Sequence, residues 1–164
     1  MPLVLTSRVQ APQAERYQRV AANPGMRDMA MVRHLLQMCR RPFLILGGGG
    51  WTKEACANIQ RFAERNRVPV ACTFRRQDLF DNKHEQYAGE IGVGMSPALQ
   101  RRLGEADLIL CVGGRLGEMT TGGYTLFGVP RLNQRLVHVH PGADELGRVY
   151  QAELLINAGM PEFA

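Results

Sequence analysis

Ala106-Asp107-Leu108-Ile109-Leu110-Cys111-Val112-Gly113-Gly114-Arg115-Leu116 constrains this chain more than any other stretch. An unbroken apolar run containing β-branched residues and closed by turn glycines fits a parallel strand covered on both faces. In open α/β sheets, ligands bind in the crevice beyond the carboxyl ends of such strands. Glycine there lets backbone N–H groups approach a phosphate, and arginine adds a planar cationic fork. Gly113-Gly114-Arg115 is therefore either part of a nucleotide-like site or a plain strand cap followed by a surface arginine.

The same grammar repeats along the chain. Residues 1–24, punctuated by Pro2, Pro12 and Pro24, read as an irregular linker. Met29, Val32, Leu35, Leu36 and Cys39 recur at helical spacing and predict a helix over 26–40, stopped by Pro42. Phe43-Leu44-Ile45-Leu46 reads as a strand closed by Gly47-Gly48-Gly49-Gly50. Thr52 suits the cap of the next helix, and a strand is expected over 68–72. Residues 73–96 read as a long polar loop bearing Gly89, Gly92 and Gly94, of a length that is usually functional. Ser96-Pro97 is a helix start. After the strand at 108–112 come a strand at 135–140, a short helix near 143–149, a strand at 154–156, and the opening of a further helix at 160–164. Strands alternating with helices imply an α/β, doubly wound, mainly parallel, Rossmann-like sheet with helices on both faces.

A length of 164 residues suits one domain with a full core. No apolar run reaches membrane-spanning length, and the first residues lack the pattern of a signal peptide, so a cytoplasmic, non-membrane protein is expected. The net charge of +5 is spread over isolated pairs such as Arg40-Arg41, Arg75-Arg76 and Arg101-Arg102, and aromatics are only 7%. That scatter argues for a mildly basic solvated surface rather than a nucleic-acid face. Cys39, Cys56, Cys72 and Cys111 lack C-x-x-C spacing and read as buried free thiols.

The motifs are individually weak. The four-glycine run does not complete G-x-G-x-x-G, because Thr52 stands where the third glycine would fall, and no acidic residue follows the second strand at Cys72-Thr73. It remains open between a phosphate-approach loop and a tight strand-to-helix turn. Gly89-Glu90-Ile91-Gly92-Val93-Gly94 is turn chemistry on its own. His138 and His140 alternate on one strand and share a face, either as metal ligands lacking a third partner or as a sheet-edge polar pair near a cleft. No hydrolase elbow, Walker loop or H-E-x-x-H is present, so neither catalytic nor metal-ligating residues are assigned.

In order and spacing, these pieces resemble the central domain of thiamine-diphosphate-dependent enzymes of the acetolactate synthase, pyruvate oxidase and 2-oxoacid decarboxylase group. The resemblance runs through Arg41-Pro42-Phe43-Leu44-Ile45-Leu46-Gly47-Gly48-Gly49, Val68-Pro69-Val70 with Thr73, His84 with Tyr87 and Gly89, then Gly92. It continues through Ala106 to Gly113 with Arg115, Thr121-Gly122, and Val137-His138-Val139 with Glu145-Leu146-Gly147-Arg148. It covers about residues 24–160. It implies that 25–164 is the non-catalytic middle domain, a fragment whose parent binds thiamine diphosphate and magnesium through flanking domains, acts on 2-oxoacids as a transferase or lyase, and assembles as a homo-oligomer. A self-standing nucleotide-binding module without thiamine partners is the alternative.

In such enzymes the middle domain holds FAD, ADP or nothing. By position the resemblance places Gly47, Gly48, Gly49, Thr73, Phe74, Gly92, Gly114, Arg115 and His140 at that cleft. FAD-binding relatives read G-A-R-F-D-D-R where this chain has Gly113-Gly114-Arg115-Leu116-Gly117-Glu118-Met119, and H-I-D-I-D where it has His138-Val139-His140-Pro141-Gly142. Met119 replaces an arginine, and His140 and Gly142 replace aspartates. The resemblance thus implies an ADP-like nucleotide or an empty cleft, with FAD disfavoured.

Overall fold

A computed structural model describes residue 10, residues 13–15, residue 17 and residues 20–164. Most of the 1–24 linker reading lies outside the described residues.

Six parallel strands form one sheet in the order β3-β2-β1-β4-β5-β6. They are β1 (Pro42–Leu46), β2 (Val70–Thr73), β3 (Tyr87–Ile91), β4 (Leu108–Val112), β5 (Arg135–His140) and β6 (Leu154–Asn157). The helices are α1 (Met26–Met38), α2 (Lys53–Asn66), α3 (Pro97–Glu105), α4 (Glu118–Thr121) and α5 (Met160–Phe163). Of the central strands, β4 is buried at every residue and β1 at all but Pro42, because both faces are covered. Leu44 and Leu46 point into one core with Val32 and Leu35 of α1, Ile59 and Ala63 of α2, and Met160 and Phe163 of α5. Phe43 and Ile45 point into the other with Leu99 and Leu103 of α3, Phe127 and Tyr150. This is the expected doubly wound α/β fold with helices on both faces.

Local chemistry fixes the element ends. Thr52 caps α2 by accepting the Ala55 N–H at 3.1 Å, and Ser96 caps α3 through the Leu99 N–H at 3.2 Å. The expected helix over 26–40 ends two residues early, at Met38. Asp107 draws the N–H groups of Arg40 and Arg41 to its carboxylate at 2.7 and 2.9 Å, which turns the chain into β1.

Four expectations need correction. The 73–96 loop contains β3 and a 3-10 turn at Gln77–Leu79. As a half-buried edge strand interrupted by Gly89, β3 shows no alternating apolar pattern. The helix near 143–149 shrinks to a 3-10 turn at Ala143–Glu145, limited by Pro141-Gly142 before it and Gly147, at φ +76°, after it. The strand bearing His138 and His140 is not at a sheet edge, since β5 pairs with both β4 and β6. Of the four free cysteines, only Cys72 and Cys111 are buried, while Cys39 and Cys56 are partly exposed.

Candidate functional site

The strand order reverses between β1 and β4, and the carboxyl ends of those strands form the topological switch point where α/β sheets bind ligands. A cleft of 570 Å³ opens there, within the roughly 300–1,000 Å³ usual for small-molecule sites. The turn after β1 contributes Gly48, Gly49 and Gly50, the end of β2 and its turn Thr73, Phe74 and Arg76, the β4 side Arg115 and Thr120, and the end of β5 and its turn His140 and Pro141.

Six residues singled out in the sequence thus meet in one cleft: Gly48, Gly49, Thr73, Phe74, Arg115 and His140. Gly47, Gly92 and Gly114 do not line it. A Cβ on Gly47 would stand 2.9 Å from Gly114 Cα and 2.5 Å from Thr73 Oγ1, so this glycine lets the β1 and β4 turns touch. A Cβ on Gly92 would press on Phe74 Cβ at 3.2 Å and Met119 O at 3.3 Å. These glycines shape the wall from behind, whereas Gly49 has no atom within 4 Å of the Cβ position and stands open. Among the described residues, no acceptor meets the N–H groups of Gly48, Gly49, Gly50 or Arg115, which leaves them available to an anion.

The β4 turn is held from inside. The Gly114 carbonyl accepts the His138 Nε2–H at 2.7 Å and the Cys111 thiol at 3.5 Å. Burial pushes the His138 pKa down, outweighing the Gly114 hydrogen bond, so the ring is neutral. Burial also pushes the Cys111 thiol up to about 12, and Cys72, beside Thr73, likewise to about 12. Neither is a thiolate nucleophile at neutral pH. His138 is therefore a backbone anchor, separate in role from His140, whose Nδ1 lies 3.0 Å from both the N–H and the carbonyl of Gly142.

Charges in the cleft are partly spent. Arg115 Nε lies 3.7 Å from a largely buried Glu145 carboxylate, and Arg148 Nη1 lies 3.5 Å from the same oxygen. One carboxylate thus serves two guanidinium groups. Arg76, which the sequence reading placed among scattered surface charge, folds back through its N–H to Thr73 O at 2.9 Å and pairs with Asp78 at 3.0 Å. Gly50, Pro141 and Thr120 are the other lining residues not among the expected site residues, and Thr120 sits on α4, an element without a sequence signal.

A family model described as the thiamine pyrophosphate enzyme, central domain, matches residues 29–164. The acetolactate synthase large subunit of Corynebacterium glutamicum is 25% identical over 84% of this chain and 22% of its own length. The sulfoacetaldehyde acetyltransferase of Rhodobacter capsulatus is 31% identical over 69% of this chain and 19% of its own length. The probable sulfoacetaldehyde acetyltransferase of Rhizobium meliloti is 28% identical over 85% and 23%. The chain spans about a fifth of the length of the curated relatives it matches.

Proposed function

Because the chain belongs to the thiamine pyrophosphate enzyme central-domain family, we propose that it is the nucleotide-cleft domain of a larger, acetolactate-synthase-like enzyme acting on 2-oxoacids. The match across 29–164 carries this reading, and it leaves a self-standing module without thiamine partners unsupported. In this reading residues 1–24 lead in from a preceding domain, 25–164 form the central one, and the parent is a cytoplasmic homo-oligomer.

The chain's own residues do not fit thiamine diphosphate with its magnesium. Among the described residues, no three His, Cys, Asp or Glu side chains gather where a metal could sit, and no carboxylate lines the switch-point cleft, whereas a magnesium-bound diphosphate needs one or two carboxylate ligands. That cofactor belongs to the flanking domains, and this domain contributes no reacting group to it.

For the cleft itself we infer an adenine nucleotide, with its phosphates at Gly48, Gly49 and Arg115. The unpartnered N–H groups and the exposed guanidinium support this. FAD is disfavoured: Met119 offers no cation, and His140 turns its Nδ1 to Gly142 where a carboxylate would accept a ribose hydroxyl. Each lost charge-assisted hydrogen bond is worth roughly 1.5–3 kcal/mol, so several losses cost decades of affinity. The purified protein is expected to be colourless and to give a saturable calorimetric signal with ADP. Stoichiometric yellow flavin, or no heat with ADP, overturns the assignment.

A further inference from the structure

We propose that the opposite end of the sheet, at the strand amino termini, carries a second binding site, for a small multiply charged phosphate such as a diphosphate. A cleft of 300 Å³ lies over the starts of β1 and β2 and is lined by Arg40, Arg41, Arg67 and Arg102. Three segments deliver these cations: the α1–β1 junction, the left-handed cap of α2 and the last turn of α3.

Their backbones are fixed. Asp107 holds the N–H groups of Arg40 and Arg41, and the Arg67 N–H donates to the carbonyls of Ala63 and Glu64. An arginine near a helix carboxyl end offsets the helix dipole, which accounts for each position singly. It does not account for four arginines lining one cleft. Among the described residues, none of the four makes an ion pair or a side-chain hydrogen bond, and all four are exposed.

The local balance is cationic. Glu105 is the single carboxylate lining the cleft; Asp107, whose oxygens accept the Arg40 and Arg41 N–H groups, stands beside it and keeps its charge, so four arginines face two carboxylates. At the carboxyl end, by contrast, Arg76 and Arg115 each face a carboxylate. Pro42 and Pro69, which open the floor, have no N–H to offer, so the donors are the guanidinium forks. Such forks bind phosphate oxygens in pairs, and an excess of arginine over carboxylate at one cleft favours a polyanion over a monovalent ion.

The test is calorimetric titration of inorganic diphosphate into the 164-residue chain. Wild type, an Arg41→Gln/Arg102→Gln double variant and Arg115→Ala are compared, each with a thermal melt and with sulfate as a second ligand. The site predicts a saturable binding event that weakens at least tenfold in the double variant and persists in Arg115→Ala, where diphosphate held at the switch-point cleft is lost, with equal melting points and weaker binding of sulfate. Equal affinity in the double variant overturns it, as do binding lost only in Arg115→Ala, sulfate binding as tight as diphosphate, or no saturation at millimolar concentration. Because Arg115→Ala reports on the other cleft, failure here is distinguishable from failure of the nucleotide assignment.

Discussion

Arg115 is the exposed cation of the switch-point cleft, and its tie to Glu145 is long at 3.7 Å. A ligand phosphate can therefore recruit it without breaking a tight pair. Arg115→Ala is expected to weaken ADP binding about tenfold or more, as the loss of one charge-assisted contact implies, while the melting point stays put. Equal affinities would remove Arg115 from the site. His138 acts on stability instead. Its folded pKa lies below the ordinary imidazole value, so the unfolded chain binds more protons in mildly acidic solution. Its contribution is complete above about pH 6.5 and falls away as pH drops toward the lower folded value. His138→Phe removes the donor to Gly114 O, so urea unfolding at pH 7 should show a loss of about 1–3 kcal/mol. The variant should also depend less steeply on pH between 5 and 7, and an unchanged slope would assign that dependence to other groups. At this scale the sequence shows some of the site and hides the rest for a physical reason. Gly48, Gly49 and Arg115 follow recognisable strand ends. Arg76 reads as one half of a surface charge pair until the Thr73 turn folds it over the cleft.

Elements meet at the switch point through backbone rather than side chains. Gly113 sits at φ +77°, and a Cβ there would lie 2.5 Å from Gly47 O and 2.6 Å from Met160 Sδ. Gly113→Ala therefore combines a left-handed backbone penalty with overpacking, together about 2–4 kcal/mol. Gly49→Ala meets nothing within 4 Å and requires no positive φ. It should be neutral or stabilise by up to about 1 kcal/mol through the unfolded chain. Urea midpoints for the pair check this directly, and similar midpoints would show that the two turns do not interlock. The sequence shows each turn but not that they touch, because strand neighbours are set by crossovers rather than by local pattern. The same limit hid the interior position of β5. Where the determinant is local, the reading succeeds: Ser96-Pro97 marks the start of α3 through cap chemistry alone. β3 was missed because an edge strand needs no periodic apolar face, and its burial depends on β2 beside it.

At the scale of the whole molecule, the fold has a core on each side of the sheet and a cleft at the switch point, and the described residues gather no three-residue group of metal ligands. The cleft is lined by two arginines, two threonines and a histidine beside open N–H donors, the polar groups on which the proposed nucleotide assignment rests. The buried thiols of Cys72 and Cys111 remain protonated near neutral pH, and His138 is occupied by Gly114. Thiamine-dependent carbon–carbon chemistry relies on a cofactor held through a metal-bound diphosphate. The described residues bring together no group of three candidate ligands for that metal, and no carboxylate lines the switch-point cleft to hold a magnesium-bound diphosphate. This chain, supplied with thiamine diphosphate and magnesium, is therefore expected to turn over pyruvate no faster than buffer, whether followed by carbon dioxide release or by acetolactate formation. The same preparation should still unfold cooperatively in a thermal melt, so that inactivity cannot be assigned to a collapsed fold. Turnover above background that is abolished by a chelator would show that residues of this domain do hold the metal, and would overturn the assignment of the chemistry to the parent's other domains.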